Sequence, residues 1–363
     1  MAQPKYQLLQ QWLRDQINSG EYTANQQIPT ELELAEQFGY SRQTIRQAIS
    51  GLEQEGLLKR TPGRGTFVCR QNAGRVNRSE SRTRRVGVLT TYLDDYIFPG
   101  IINGIERVLS RHDYLFTLGL THNKTLDEAT ALQKLLAAGV DGLIIEGTKT
   151  ALPTPNEGIL QSFRDAGIPM VFINGCYDGA NDSYVLMDDV QSGELLTQHL
   201  IDRGHTQIGG IFKSDDIQGV KRYEGVVKGM QKNDGHIKDD CILWYTTEDV
   251  RYLFEGSMDE MILKRLADST AVVCYNDEIA AKLIDVLRRA GKRVPDDLSV
   301  VGFDNSPFAG SQLYNLTTVT YPAADIGETA ANVLMRCLED PEHREHIKIK
   351  PNIVERGSVR CLK

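Results

Sequence analysis

Few cysteines, no long apolar run and no phosphate-gripping glycine loop narrow the chain before any motif does. Its 363 residues include six cysteines, Cys69, Cys176, Cys241, Cys274, Cys337 and Cys361. None falls at C-x-x-C spacing, so a zinc clip or redox motif is excluded and free buried thiols in a reducing compartment are expected. No stretch approaches membrane-span length, and the opening residues MAQPKYQLLQQWLRDQ hold no apolar signal segment. The expectation is a cytoplasmic chain with no membrane partner. G-x-G-x-x-G after a strand, G-x-x-x-x-G-K-[ST], G-x-S-x-G and H-E-x-x-H are all missing. The seven histidines include no i, i+4 pair, and none of the Asp pairs has EF-hand spacing. No catalytic residue, no metal site and no cofactor is therefore expected, which argues against a sugar kinase or dehydrogenase. Net charge is -8, but it is uneven. Residues 1–85 carry 13 Lys/Arg against 8 Asp/Glu, and the remainder carries 28 against 41. A basic head on an acidic body suits a protein whose head alone is drawn to phosphate.

What is present is densest between residues 29 and 68, PTELELAEQFGYSRQTIRQAISGLEQEGLLKRTPGRGTFV. Thr30 with Glu33 three residues on forms a capping box, and Leu32, Ala35 and Phe38 give the following helix an inward face. Gly39 supplies a left-handed turn. Ser41 caps a second helix that buries Ile45, Ala48, Ile49 and Leu52. Arg42, Gln43, Thr44, Arg46 and Gln47 stay outside, where such groups bond phosphates and base edges. Pro62-Gly63-Arg64-Gly65 bends a hairpin between Leu57-Leu58 and Thr66-Phe67-Val68, with Arg64 at its tip. This is a winged helix-turn-helix whose second helix fits a major groove. Candidate DNA-binding residues are Lys5, Glu31, Ser41, Arg42, Gln43, Thr44, Arg46, Arg64 and Gly65. Lys5 also reads as an ordinary solvated lysine at the start of a first helix over 3–19.

Over residues 3–69 these motifs resemble the head of GntR-family bacterial regulators. The resemblance implies double-stranded operator DNA as partner. Residues 70–85, RQNAGRVNRSESRTRR, are almost free of apolar side chains, so a flexible linker is expected there, with or without arginine contacts to DNA.

From residue 86 to 363 apolar strands alternate with helices: Val86–Thr91, Tyr114–Leu120, Gly142–Glu146, Pro169–Asn174, Ile208–Lys213, Ala271–Tyr275 and Ser299–Asp304. That pattern means parallel sheets covered on both faces, in two similar lobes, with ligand at the strand carboxyl ends. The strand ends and their neighbours offer Tyr92, Tyr96, Phe98, Glu146, Lys149, Asn174, Arg222, Asn276, Asp304 and Tyr321 as effector-binding candidates. Carboxylates, amides and a guanidinium exchange hydrogen bonds with vicinal hydroxyls, and aromatic faces pack on a sugar ring. Each such residue alone reads equally well as a helix cap.

The segments VGVLTTYLDDYIFPGIINGI, LMDDVQSGELLTQHLIDRGH, QGVKRYEGV, CYNDEIAAKLIDVLRRAG, VPDDLSVVGFDNS and LTTVTYPAADIG resemble the effector domain of LacI/GalR repressors, from residue 86 to about 357. The resemblance implies the α/β periplasmic-binding-protein-like fold, behind the α+β head, and inducer contacts at Arg222, Asn276 and Asp304. The pairing of a GntR-type head with this body, sharpened by the segments TTYLDDYIFPGIINGIE, EGTK, DDIQGVKR and CYNDEIA, further resembles a homodimeric, sugar-responsive repressor whose effector ligand is L-arabinose. The residue chemistry itself leaves another pentose, a galactose-type sugar or a nucleoside open. One departure stands out: RQNAGRVNRSESRTRR replaces the LacI-type hinge helix, so coupling of head to body is not carried over.

Overall fold

The computed structural model describes residues 4–18, 21–23, 26–54, 57–61, 64–68, 82–93, 95–177, 179 and 181–363. The chain divides into two compact units, Met1–Glu80 and Ser81–Lys363.

In the first unit, helix α1 (Lys5–Asn18), α2 (Glu31–Phe38) and α3 (Arg42–Gln54) pack with a hairpin of β1 (Leu58–Thr61) and β2 (Gly65–Val68). The capping box forms as the sequence requires: the Glu33 backbone N–H donates to Thr30 Oγ1 at 3.3 Å and the Thr30 backbone N–H to Glu33 Oε2 at 2.7 Å. Gly39 ends α2 at φ +63°. Thr44 N–H donates to Ser41 Oγ at 3.2 Å, which caps α3. Ile45, Ala48, Ile49 and Leu52 enter a core with Leu9, Leu13 and Leu34. The inward face of α2 departs from expectation. Leu32 is 49% exposed, and Leu34 is the fully buried leucine. In an eight-residue helix two leucines two positions apart lie on opposite sides, and Leu34 is the one aligned with Phe38 at i+4. The hairpin is antiparallel, Leu58 facing Val68 and Thr61 facing Gly65, and Gln27 adds a bridge to Phe67. Pro62 and Gly63 lie outside the described residues.

The second unit holds two lobes. Lobe 1 is a parallel sheet in the order β13-β7-β6-β5-β3-β4. Its strands are β3 (Arg85–Thr90), β4 (Leu115–Leu120), β5 (Gly142–Ile145), β6 (Met170–Ile173), β7 (Ser183–Met187) and β13 (His346–Ile349). Helices α4 (Phe98–Arg111), α5 (Thr125–Ala137), α6 (Glu157–Asp165) and α12 (Ala323–Glu339) cover it. Lobe 2 repeats the plan as β14-β12-β11-β10-β8-β9, where only β14 runs antiparallel. Its strands are β8 (Ile208–Lys213), β9 (Ile242–Tyr245), β10 (Ala271–Cys274), β11 (Ser299–Asp304), β12 (Thr317–Thr320) and β14 (Ile353–Val354). Its helices are α7 (Asp189–Asp202), α8 (Ile217–Gln231), α9 (Val250–Leu253), α10 (Asp259–Arg265) and α11 (Asp277–Arg289). The chain crosses between lobes after β7, after β12 and after β13. Helices α7 and α8 touch through glycine: a Cβ on Gly193 would sit 2.2 Å from the Arg222 carbonyl oxygen. That close approach brings Arg222, on α8, to the start of α7.

The linker expected over 70–85 ends sooner. Residues 70–81 lie outside the described residues, but 82–85 are bonded into the body. Thr83 and Arg84 backbone N–H groups donate to the Asp141 carboxylate at 3.1 and 2.8 Å, and Arg85 opens β3. Polar composition concealed this, because the partner carboxylate lies 57 residues on. Of the cysteines, Cys241, Cys274 and Cys337 are buried as expected, Cys176 is half-buried, Cys361 is exposed, and Cys69 lies outside the described residues.

Candidate effector cavity and DNA-facing head

Strand carboxyl ends from both lobes open into one cavity of about 680 Å³. Arg222 is a buried residue of its wall, 3% exposed. Its Nε donates to Asp189 Oδ1 at 2.8 Å, its Nη1 to the Tyr275 carbonyl at 2.6 Å, and its Nη2 lies 3.5 Å from Asp304 Oδ1. The guanidinium plane sits over the rings of Phe303 (4.6 Å) and Tyr275 (5.1 Å). Two buried carboxylates on one guanidinium hold it charged, so it is a fixed donor.

Glu146, one residue beyond β5, is buried from lobe 1. Its Oε2 accepts from the Thr91 backbone N–H and hydroxyl, each at 2.7 Å, and its Oε1 from Asn174 Nδ2 at 2.7 Å. Burial pushes its pKa up to about 7 against the pull of those donors. Asp304 ends β11 at φ +100°, accepts from the Tyr96 hydroxyl at 2.6 Å, and is raised by burial against Arg222. Asp95 is pushed up to about 6 by burial and by the charges of Asp304 and Glu278. Its buried Oδ1 has no hydrogen-bond partner among the described residues. On lobe 2, Lys213 Nζ donates to Asp216 Oδ2 at 2.6 Å, and the Tyr275 hydroxyl donates to the same oxygen at 3.2 Å. Asn276 caps α11, its Oδ1 accepting from Ile279 N–H at 3.0 Å, so only its Nδ2 remains to donate into the cavity it lines.

The wall therefore carries the carboxylates of Asp95, Glu146, Asp216, Glu278 and Asp304 against two cations, Lys213 and Arg222, both already paired. Tyr92, Tyr96, Tyr245, Tyr275, Phe308 and Tyr321 supply rings. Acceptors and fixed donors beside aromatic faces suit a neutral polyhydroxy ligand. Among the described residues no cluster could hold a metal ion, and no helix is long and apolar enough to cross a membrane.

On the head, Arg42, Gln43 and Arg46 are exposed along one side of α3. Arg46 Nε donates to Glu31 Oε2 at 2.7 Å, while Arg60 on β1 reaches Glu31 Oε1 at 3.1 Å. Glu31 thus ties the exposed helix to the hairpin. Lys5 Nζ lies 5.2 Å from the Tyr40 ring centre. Gly65 has φ +115°, which side chains with a Cβ rarely adopt, and a Cβ there would lie 2.3 Å from Gln27 Nε2, so glycine is favoured at this turn.

A family model described as bacterial regulatory proteins of the gntR family matches residues 5–68, and one described as a periplasmic binding protein-like domain matches residues 197–359. A solved LacI family transcriptional regulator from Enterococcus faecium, with bound ribose, is similar at a TM-score of 0.63 and 26% identity, covering 77% of this chain and 100% of that one. An arabinose metabolism transcriptional repressor of Geobacillus stearothermophilus is 39% identical over 98% of this chain and 98% of its own. Its namesake from Halalkalibacterium halodurans is 36% identical over 98% of this chain and 96% of its own. The chain belongs to the arabinose metabolism transcriptional repressors. It regulates rather than catalyses, since members of this family are repressors and not enzymes.

Of the repressor's sequence-predicted effector residues, Tyr92, Tyr96, Glu146, Arg222, Asn276, Asp304 and Tyr321 meet at the cavity wall. Phe98 also reaches it, but is 1% exposed and packs in the lobe 1 core. Two are not brought to the wall. Asn174 stands behind it, donating to Glu146 and accepting from the Tyr321 hydroxyl. Lys149 points to lobe 2, where Asp215 and Glu248 take its ammonium at 3.2 and 2.8 Å. Both sit just past strand ends, where spacing alone does not separate a ligand contact from a support. The sequence reasoning missed Asp189, Lys213, Tyr245 and Tyr275. Both tyrosines hide at the ends of apolar strand runs, and Asp189 looks like a first-turn acid of α7. The Lys-Ser-Asp-Asp run that starts at the last residue of β8 was a readable sign of an ion pair.

Proposed function

We propose that L-arabinose occupies the interlobe cavity and releases the repressor from operator DNA. The cavity carries this reading: its two cations are already paired while its carboxylates outnumber them, its rings are Tyr and Phe, and its volume lies within the roughly 300–1,000 Å³ of small-molecule sites. Glu146, Asp304 and Asp95 accept sugar hydroxyls, Arg222 and Asn276 donate, and Tyr92 and Tyr96 flank the ring. Asn174 supports Glu146 from behind. In the head, Arg42, Gln43, Thr44 and Arg46 face the major groove, Ser41 and Lys5 face phosphate, and Glu31 orients Arg46. Gly65 shapes the wing that carries Arg64. The head spans residues 1–69, the body 82–363, and residues 70–81 join them. The repressor acts in the cytoplasm as a homodimer, two heads reading a two-fold operator.

The test is calorimetry of the purified protein against L-arabinose, other pentoses, galactose and a nucleoside, paired with operator mobility shifts. L-Arabinose should bind and should lower operator affinity. Binding of none of these, or binding without change in operator affinity, sinks the reading.

A further inference from the structure

Beside the cavity the lobes meet through a compact polar seam. From lobe 1, Lys149 Nζ reaches Asp215 Oδ2 at 3.2 Å and both oxygens of Glu248 at 2.8 Å. Asn123 Nδ2 donates to Thr247 Oγ1 at 2.6 Å. Two backbone groups cross as well: Ala151 N–H donates to the Asp215 carbonyl at 3.3 Å, and Ile217 N–H to Thr150 Oγ1 at 3.1 Å. The lobe 1 side is built for this contact. His122, Asn123 and Lys149 all take positive φ, near 50°, which is strained for residues with a Cβ. Asn123 Oδ1 accepts the Lys149 backbone N–H at 2.8 Å. Below them Glu128, fully buried, accepts from Thr148 N–H, the Tyr177 hydroxyl and Asn156 Nδ2. On the other side Asp215 is fixed by Thr247 N–H at 3.0 Å. Strain of this kind persists only where surrounding contacts over-determine it.

We propose that Lys149, with Asn123, is a positioning element that latches lobe 1 to lobe 2 and sets the fraction of protein in the closed, sugar-retaining arrangement. Lys149 does not line the cavity. It acts through Asp215 and Glu248, and sugar affinity is the intrinsic affinity scaled by the closed fraction. The latch is ionic and the ligand is neutral. Salt that screens the latch therefore weakens sugar binding. The binding arm rests on the sugar reading given above; the opening arm does not.

The experiment uses the full-length protein, Lys149→Met and, as a milder change on an exposed side chain, Glu248→Gln. Hydrogen exchange at the Ala151 and Ile217 amides reads opening without any sugar. Both variants should exchange faster there, while Val88 and Val272 in the two sheets stay protected. L-Arabinose should bind roughly fivefold more weakly to Lys149→Met, as expected for loss of about one partly exposed ion pair. Rising ionic strength should weaken sugar binding to the wild type more than to Lys149→Met. Unchanged exchange at Ala151 and Ile217 overturns the latch, and so does faster exchange with undiminished sugar affinity. Faster exchange in a protein whose wild type binds no L-arabinose upholds the latch and sinks the sugar reading instead.

Discussion

Replacing Arg222 by alanine should uncouple two properties by different amounts. The guanidinium is 3% exposed and holds Asp189, Asp304 and the Tyr275 carbonyl together. Its removal leaves two buried carboxylates with no cation and a carbonyl with no donor. Breaking a buried pair from one side costs about 3–5 kcal/mol. Near the melting point that lowers the Tm of a body this size by roughly 6–20 °C. Sugar binding should be lost, because the fixed donor and the placement of Asp304 go together. The head keeps its own core, so operator binding should persist below the new Tm, giving a repressor insensitive to sugar.

The loss should also depend on pH, with a definite sign. Burial, opposed by Arg222, pushes Asp189 from its ordinary 3.8 up to about 6. Without Arg222 it rises further. A carboxyl raised in the folded state binds more protons there than when unfolded, so stability falls as pH climbs from the unfolded value to the folded one. The gap between wild type and Arg222→Ala should be widest at neutral pH and should narrow as pH falls toward about 5. Arg222→Ala with Asp189→Asn should lose less than the sum of the two single changes, since both act on one network. Thermal unfolding of the four proteins across that pH range is the assay. A Tm within measurement error of wild type, or a gap that ignores pH, would refute the reasoning.

Three further outcomes follow from the geometry. Arg46→Ala should cost about 1–3 kcal/mol of operator affinity and relax specificity at one base if Arg46 reads a guanine; a mobility-shift series showing unchanged affinity removes it from the interface. Gly65→Val places a Cβ against Gln27 at φ +115°, so it should weaken operator binding and leave calorimetric sugar affinity alone; parallel loss of both would mean that the two units are not independent. Sugar affinity should fall as pH drops through about 7 and then 6, because Glu146 and Asp95, pushed up to those values chiefly by burial, lose charged acceptors on protonation; a flat profile from neutral to acid pH would show that neither carboxylate accepts from the ligand.

The head was legible in sequence because its signals are local. Thr30 and Glu33 lie three residues apart, Gly39 and Gly65 mark left-handed turns, and Ile45, Ala48, Ile49 and Leu52 repeat at helical spacing. The strands were legible where they are apolar: Ile208–Lys213 and Ser299–Asp304 were placed to the residue. Strand β12, Thr317–Thr320, was not, since three of its four residues are threonine and no apolar run marks it, although Thr317 and Thr318 are fully buried. Their hydroxyls are satisfied by the Arg356 carbonyl and by Asp277, partners 39 and 41 residues away. The same limit governs the cavity. Glu146, Asn276 and Asp304 could be found from strand-end position and Arg222, inside α8, from the LacI/GalR resemblance, but which of them faces the cavity and which faces a support depends on pairings such as Asp189 with Arg222, which spacing does not encode.

The cavity's electrostatics explain why a neutral sugar can act as a switch. Burial raises Asp95, Glu146 and Asp304 together, and two paired cations do not offset five wall carboxylates. On the proposed reading sugar hydroxyls would donate into that excess of acceptors, and each such bond would favour the ionised carboxylate. Bound sugar should therefore lower these pKa values, release protons and stabilise whichever lobe arrangement gathers the acceptors around it. Asp95 and Glu146 reach the cavity from lobe 1, Asp304 and Arg222 from lobe 2, so only the closed arrangement presents all of them at once. The free energy available for switching is the difference between sugar affinity closed and sugar affinity open. If operator DNA favours the open arrangement, the same difference sets how far sugar weakens DNA binding and how far DNA weakens sugar binding.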